Sequence, residues 1–143
     1  MKHSAPSIDP DLIALGIRQP WAELILQGIK TIEVRSLETA KRGTILIYAS
    51  KKLSSQPSAL EAAERHRLDL DALPKGVLVG TVEIRDCSRC TADDSQGASL
   101  PVEAIAGKFA WRLGNSQRFP KTVPVRFLPY GVWFYPFKRR NRE

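Results

Sequence analysis

The sequence contains few residues that could bind a metal or form a disulfide: two cysteines and two histidines among 143 residues. A structural zinc site requires four ligands, and the single C-x-x-C motif of Cys87 and Cys90 has no second cysteine pair. A thioredoxin-like redox motif lies near a βαβ unit, a pattern that this chain does not show. We therefore expect no metal and no cofactor, and we interpret Cys87 as a small core residue at a strand end.

The sequence also lacks long apolar runs. No stretch approaches the roughly 20 apolar residues of a membrane-spanning helix, and residues 1–11 lack the apolar region of a secretion signal. With 43% hydrophobic and 26% charged residues, the composition is that of an ordinary globular protein. We expect no membrane association, a cytoplasmic location and a single domain over residues 11–137. A loose lead-in (1–10) precedes this domain and a basic tail (138–143) follows it.

Positive charge, by contrast, is in excess. Lysine and arginine together number 22 against 15 aspartates and glutamates, which gives a net charge of +7. This balance favours a polyanionic partner, most often a nucleic acid. The alternative is that the charge only keeps the protein soluble, and composition does not separate the two.

Residues 17–36 change from a helical to a strand pattern, and the rest of the chain is organised around them. Pro20 suits the first position of a helix, because its missing N–H would have no partner there. Side chains at i, i+3, i+4 and i+7 then share one helical face: Trp21, Leu24, Ile25 and Gly28. Since glycine suits the left-handed residue that ends a helix, we predict a short helix that ends at Gly28.

The strand pattern that follows concentrates charge. Ile32 and Val34 alternate with polar residues, which predicts a strand with one buried face. Glu33 and Arg35 project from the same side of this strand, which we expect to be the open one. Lys30, in the turn before them, can reach the same region. Such a mixed-charge cleft can hold a phosphate or a polar base edge; the alternative is a surface ion-pair cluster of little energetic value.

Strand and helix patterns recur along the chain. We predict strands at residues 12–17, 31–35, 44–50, 77–88, 108–113 and 131–135, and an edge or irregular strand at 122–127. A helix is predicted at 58–68 and one or two helical turns at 101–106, while 88–99 is interpreted as a mobile loop and 114–115 as the start of a turn. Gly80 within a strand indicates a bulge or a bend. The expected fold is α+β and mainly β: a small mixed β-barrel of five to six strands with two to three covering helices.

Many of these residues resemble a known family pattern. The signature of the ASCH domain family is similar to Gln19-Pro20-Trp21-Ala22 with Leu24 and Ile25, followed by Gly28, Lys30, Glu33 and Arg35. The similarity continues through Arg42-Gly43, the apolar run 45–47, Val79-Gly80, Phe109-Ala110-Trp111 and residues 129–134. It covers nearly the whole chain. The resemblance implies a PUA-like β-barrel with helices over its openings.

The resemblance also implies a function and a site. ASCH domains are similar to PUA domains, which bind RNA, so the expected partner is RNA, another single-stranded nucleic acid or a nucleotide-like ligand. Lys30, Glu33 and Arg35 correspond to the family's cleft positions. Neighbours at the helix start and at the end of the central strand complete the predicted binding residues: Arg18, Gln19, Ser50 and Lys51. Trp21 lies on the apolar helix face, so we expect core packing there rather than stacking on a base.

Two alternatives stay open beside nucleic-acid binding. Some bacterial members of the family hydrolyse N4-acetylcytidine and others have been described as ribonucleases, so a hydrolase acting on RNA or on a modified nucleoside is the second hypothesis. Lys30 and Glu33 would then form the catalytic acid–base pair. The deacylating branch, however, has a threonine nucleophile where this chain has Glu33. The third hypothesis is a protein-interaction module.

Overall fold

The computed structural model describes residues 8–139 as one curled β-sheet with short helices between its strands. The strands are β1 (Ala14–Ile17), β2 (Ile32–Arg35), β3 (Gly43–Ala49), β4 (Val77–Arg89), β5 (Phe109–Val123) and β6 (Trp133–Phe134). The α-helices of this part of the chain are α1 (Trp21–Leu26), α2 (Pro57–Arg65), α3 (Ser95–Ala98) and α4 (Val102–Ile105), and a 3₁₀ turn covers Ala92–Asp94. The predicted class, α+β and mainly β, is confirmed.

The sheet is mixed and has the strand order β2-β5-β4-β3-β1-β6. β1 runs parallel to β3, whereas the other neighbouring pairs are antiparallel. The sheet curls into a half-barrel, with β2 and β6 as its edge strands. The predicted number of strands is confirmed.

Central strand β3 has a packed core on each of its faces. Its residues Ile45 to Ala49 are all buried, as the nearly continuous apolar run predicts. Ile45 and Ile47 belong to the apolar cluster that includes α1, whereas Leu46 and Tyr48 pack in a second cluster with Phe134. The sheet is therefore fixed by contacts on both sides.

Side-chain contacts join strands that lie far apart in the sheet order. Trp111 of β5 stacks on Trp133 of β6 with ring centroids 5.8 Å apart. Arg35 of β2 donates a hydrogen bond of 3.0 Å to the carbonyl oxygen of Gly16 in β1. These contacts are compatible only with a strongly curled sheet, and they hold its open side together.

Irregular pairing accompanies the curl. The register of β3 against β4 shifts between Ile47 and Tyr48, which pair with Gly80 and Leu78. The irregularity predicted at Gly80 is thereby confirmed. The register of β4 against β5 shifts at three further points. Bulges bend a strand and increase its twist, so these positions let two long strands follow the curved surface.

Three local predictions are wrong. The turn predicted at 114–115 does not form, because β5 continues through Asn115, which adopts a left-handed conformation (φ 51°) near a register shift. The loop predicted at 88–99 instead holds the end of β4, the 3₁₀ turn and α3, with Thr91 and Asp94 forming a capping box. Of the strand predicted at 122–127, only residues 122 and 123 are in a strand, as the end of β5.

The predicted lead-in and basic tail fall largely outside the described residues, because residues 1–7 and 140–143 are not described. Both therefore stay predictions. Within residues 8–139, no helix combines the length and the apolar character that crossing a bilayer requires.

The close packing at Gly80 gives a first prediction. A Cβ atom there would lie 2.2 Å from the carbonyl oxygen of Gln117 and 2.7 Å from a methyl group of Leu26. Gly80→Ala should lower the free energy of unfolding by about 1–3 kcal/mol, because a backbone carbonyl must move to make room. Chemical denaturation measures this loss. Gly131→Ala is the matched control, since its nearest atom would lie at 3.6 Å. Equal stability of the two variants would contradict the packing described.

Candidate functional site

A cleft opens where two parallel strands end side by side. β1 and β3 pair in register up to Ile17 and Ala49, and the N–H of Ser50 donates to the carbonyl oxygen of Ile17 at 3.0 Å. Two neighbouring parallel strands end at the same edge of the sheet. The residues that follow β1 and β3, Arg18 and Ser50, therefore lie close together. The cleft at this edge has a volume of about 680 Å³, within the range of small-molecule sites.

Four stretches of chain line the cleft. β1 and the segment after it, as far as the first residue of α1, contribute Gly16, Arg18 and Trp21, and β2 contributes Glu33 and Arg35. β3 contributes Tyr48 and leads into the segment 50–56, which forms a polar wall. The opposite lip is the loop of residues 128–132. Since these stretches are far apart in sequence, the cleft exists only in the folded sheet.

Arg35 forms the centre of the β2 wall. Its Nε donates to the Glu33 carboxylate at 2.8 Å, and its Nη2 reaches the carbonyl oxygen of Gly16. The guanidinium also lies 5.6 Å from the centroid of the Trp111 ring. Contacts with three partners, the Glu33 carboxylate, the Gly16 carbonyl oxygen and the Trp111 ring, therefore fix its orientation. The result is a rigid donor–acceptor pair, Glu33 and Arg35, at the surface of the cleft.

Positive charge dominates the rest of the lining. Arg18, Lys51 and Lys52 are exposed at the cleft, whereas Glu33 is the one carboxylate among the lining residues in the described range 8–139. Arg35 is already paired with that carboxylate. Three exposed cations around one compensated ion pair make the cleft attractive to an anion.

Lys30 lies behind this cleft, in a smaller cavity of about 80 Å³. The two spaces share Trp21, Glu33 and Gln56 in their walls. The Lys30 side chain is buried, donates to the carbonyl oxygen of Ala98, and lies 4.8 Å from the centroid of the Trp21 ring. Burial lowers the pKa of Lys30 to about 8, although the negative charge of Glu33 opposes this shift.

The structure brings together most of the predicted site residues. Arg18, Glu33, Arg35, Ser50 and Lys51 all line the main cleft. Lys30 lines the adjoining small cavity instead. The expectation that the β2 charges lie on an open face is wrong for Glu33, which is only 7% exposed, because the curl of the sheet covers that side of the strand.

Gln19 has a different position from the one that the sequence suggested. Its side chain is fully buried; the amide nitrogen donates to the carbonyl oxygen of Pro74 at 3.0 Å, and the amide oxygen accepts from the N–H of Glu23 at 2.9 Å. The cleft lining does not include it. Gln19 thus connects the start of α1 to the segment before β4, and it supports the site from behind.

Sequence reasoning missed part of the lining. Lys52 follows Lys51 directly, so the pair of cations was the available signal for it. The loop 128–132 was not predicted to line the cleft, and residues 131 and 132 were predicted as part of a strand that begins only at Trp133. Leu128 and Val132 of this loop are 66% and 56% exposed. Trp21 is buried, as predicted, yet it also forms part of the cleft wall. Of the residues of α1, Trp21 alone lines the cleft, and it is the first residue of the helix.

No metal centre is found in the part of the chain that the structure describes: no group of three or more histidine, cysteine, aspartate or glutamate side chains is placed to hold an ion. Cys87 is partly buried within β4 and packs against the main apolar cluster. It therefore lies at the margin of the core, less deeply than the prediction of a core residue implied.

Comparison with known proteins gives consistent results. A family model described as the ASCH domain matches residues 15–124. Activating signal cointegrator 1 of Homo sapiens is 38% identical over 126 residues, which cover 83% of this chain and 21% of that protein. The Mus musculus protein of the same name matches to the same extent. The chain therefore spans about a fifth of the length of these curated relatives.

Solved structures show the same fold at lower identity. The crystal structure of ASCH from Zymomonas mobilis is similar with a TM-score of 0.57 and 15% identity, covering 89% of this chain and 88% of that one. A substitution variant of that protein gives a TM-score of 0.54 at 13% identity, with 86% and 88% covered. At such low identity, these likenesses concern the fold alone.

The buried ammonium of Lys30 gives a prediction for stability against pH. Its pKa is about 8 in the folded protein and near the ordinary 10.5 when unfolded. Between these values the unfolded state binds more protons, so this group makes stability rise with pH. Relative to Lys30→Met, the wild type should gain about 2 kcal/mol of unfolding free energy from pH 6.5 to 9.5.

Chemical denaturation of both proteins at several pH values measures this difference. Subtracting the unfolding free energy of Lys30→Met from that of the wild type at each pH removes the contribution of the titrating groups that both proteins contain. Lys121→Met, which removes an exposed lysine of β5, is the control for general charge loss. A difference between wild type and Lys30→Met that stays constant over this window would show that the Lys30 pKa is not depressed.

Proposed function

The chain belongs to the ASCH domain family, and on this premise we propose that its main cleft binds RNA or another single-stranded nucleic acid. The observation that carries the proposal is the grouping of Arg18, Lys51 and Lys52 around the fixed Glu33–Arg35 pair. Cations of this kind bind phosphates without regard to sequence. A rigid donor–acceptor pair, by contrast, recognises the edge of a base.

The shape of the cleft favours an unpaired nucleotide over a duplex. Its volume of about 680 Å³ suits one base with its sugar and phosphate. The lip formed by Leu128, Pro129 and Val132 is apolar and exposed, and it faces a wall that is cationic. A nucleotide also has an apolar part, the face of its base, and a charged part, its phosphate. The bases of a single strand are unpaired and can enter such a site.

The family agrees with a nucleic acid as partner, but neither the family nor the names of the relatives identify which nucleic acid is bound. The family's PUA-like fold is often linked to RNA binding, whereas the name of the curated relatives describes a cointegrator. Because the chain matches 21% of those proteins, their whole activities do not transfer to it. The lining residues of this chain therefore carry the proposal.

A hydrolase is the second candidate, and Lys30 is the observation that favours it. A buried lysine with a pKa of about 8 is suited to exchange a proton near neutral pH. It shares the wall of the small cavity with Glu33. Glu33 is, however, paired with Arg35 at 2.8 Å, so a carboxylate oxygen that would act on a substrate already accepts from the guanidinium. We therefore rank binding above catalysis.

Salt dependence gives the direct test of phosphate binding. The affinity for a fluorescein-labelled single-stranded RNA should fall with salt, with a slope of about −0.7 for each phosphate contact in log–log form. Arg18→Ala and Lys51→Ala should each weaken binding and reduce that slope by roughly 0.7. Lys121→Ala removes the same charge outside the cleft lining and should leave the slope unchanged.

Other outcomes would favour the alternatives. Equal loss of affinity in the Lys51→Ala and Lys121→Ala variants would contradict a localised site. If the samples cut RNA or deacetylate N4-acetylcytidine, and Glu33→Gln stops the reaction, the hydrolase is correct. If neither binding nor turnover is observed, the protein-interaction module is the function that remains.

A further inference from the structure

An apolar groove lies beside α2, apart from the main cleft. It has a volume of about 400 Å³, and four leucines line it: Leu53, Leu60, Leu68 and Leu70. The Leu60 side chain is 62% exposed, and the other three are partly buried. The groove and the main cleft have no lining residue in common. Exposed apolar side chains that are grouped in this way mark interaction sites, whereas single exposed leucines do not.

Hydrogen bonds fix the segments that form this groove. The turn that ends α2 is closed by the N–H of Leu68, which donates to the carbonyl oxygen of Ala63 at 2.8 Å, a bond typical of the Schellman motif. In the segment that follows, the Lys75 ammonium donates to the carbonyl oxygens of Leu70 and Leu73 at 2.6 and 2.9 Å. Because both segments are held in place, a partner binds without the cost of ordering them.

The rim of the groove is negatively charged. Glu64, Asp69 and Asp71 are exposed and line it, and the lining residues within the described range include no lysine, arginine or histidine. None of these three carboxylates takes part in an ion pair among residues 8–139. The net charge of the chain is +7, so this surface is opposite in sign to the protein as a whole. An uncompensated acidic rim favours a basic partner and repels the phosphates of a nucleic acid.

We infer that this groove is a protein-docking surface, and that its partner is an amphipathic helix of another protein with leucines on one face and lysines or arginines beside them. Such a helix places apolar side chains at i, i+3, i+4 and i+7 into a groove, and its cations then lie near the carboxylates of the rim. A groove of this size holds few anchoring side chains, so the contact is transient. The inference does not rest on the function proposed for the main cleft.

Two synthetic peptides test the charge preference. The first has about 15 residues, with leucine at i, i+3, i+4 and i+7 and lysine at most other positions, and the second has glutamine in place of each lysine. In isothermal titration calorimetry, the lysine peptide should bind at least about threefold more tightly than the glutamine peptide. Added salt should reduce this difference, because it screens the charges of the exposed rim.

Two variants locate the binding in the groove. Leu60→Ala should weaken the binding of the lysine peptide about threefold to tenfold, because it removes the most exposed apolar side chain of the groove. The double variant Glu64→Gln/Asp71→Asn should weaken it about threefold and remove most of the preference for lysine over glutamine. Asp69 is left unchanged, since its carboxylate accepts a hydrogen bond from the N–H of Asp71.

Matched controls lie outside the groove. Leu37→Ala removes a leucine that is 75% exposed, and Glu103→Gln removes an exposed carboxylate of α4; neither residue lines the groove. Both variants should bind the lysine peptide as the wild type does. Leu60→Ala should in turn keep the wild-type affinity for single-stranded RNA, since the main cleft is a separate surface. Circular dichroism confirms that each variant is folded.

Several results would overturn the inference. Equal affinities for the two peptides, no binding of either peptide, or equal losses in the Leu60→Ala and Leu37→Ala variants would each refute it. Self-association of the protein that Leu60→Ala abolishes, measured by sedimentation, would replace the helical partner by a second copy of this chain. None of these results affects the function proposed for the main cleft, and a failure of RNA binding leaves the groove standing.

Discussion

The candidate site depends most on the contacts of the Arg35 guanidinium. It pairs with Glu33 on its own strand, donates to a carbonyl oxygen of β1, and lies against Trp111 of β5. The hydrogen bond to Gly16 ties the edge strand β2 to β1 across the open side of the sheet, which the stacked rings of Trp111 and Trp133 also bridge. The Arg35 side chain therefore helps to hold the half-barrel together and forms part of the cleft wall.

The burial of charge near this point lowers the stability of the fold. Lys30 is 3% exposed and Glu33 is 7% exposed, and removing such groups from water costs free energy that well-packed apolar side chains would not. The depressed pKa of Lys30 is a direct sign of this cost. Strongly shifted pKa values cluster at functional sites and also occur in structural ion-pair networks.

Local patterns in the sequence predicted much of the fold. The change of period in residues 17–36 identified α1 and β2, and the apolar run of residues 45–49 identified the central strand. The two cleft residues Glu33 and Arg35 followed from their spacing on one strand. What local patterns did not predict depends on the curl of the sheet. The burial of Glu33, the continuation of β5 through Asn115 and the loop 128–132 as a cleft lip are set by contacts between distant segments.

The most direct measurement is an NMR titration of the ¹⁵N-labelled protein with uridine monophosphate. If the cleft is the binding site, the largest amide shift changes should occur at Gly16, Arg18 and residues 50–52, where β1 and β3 end. Shift changes confined to another surface, such as the groove on α2 lined by Leu60 and Leu68, would contradict the assignment of function to this cleft.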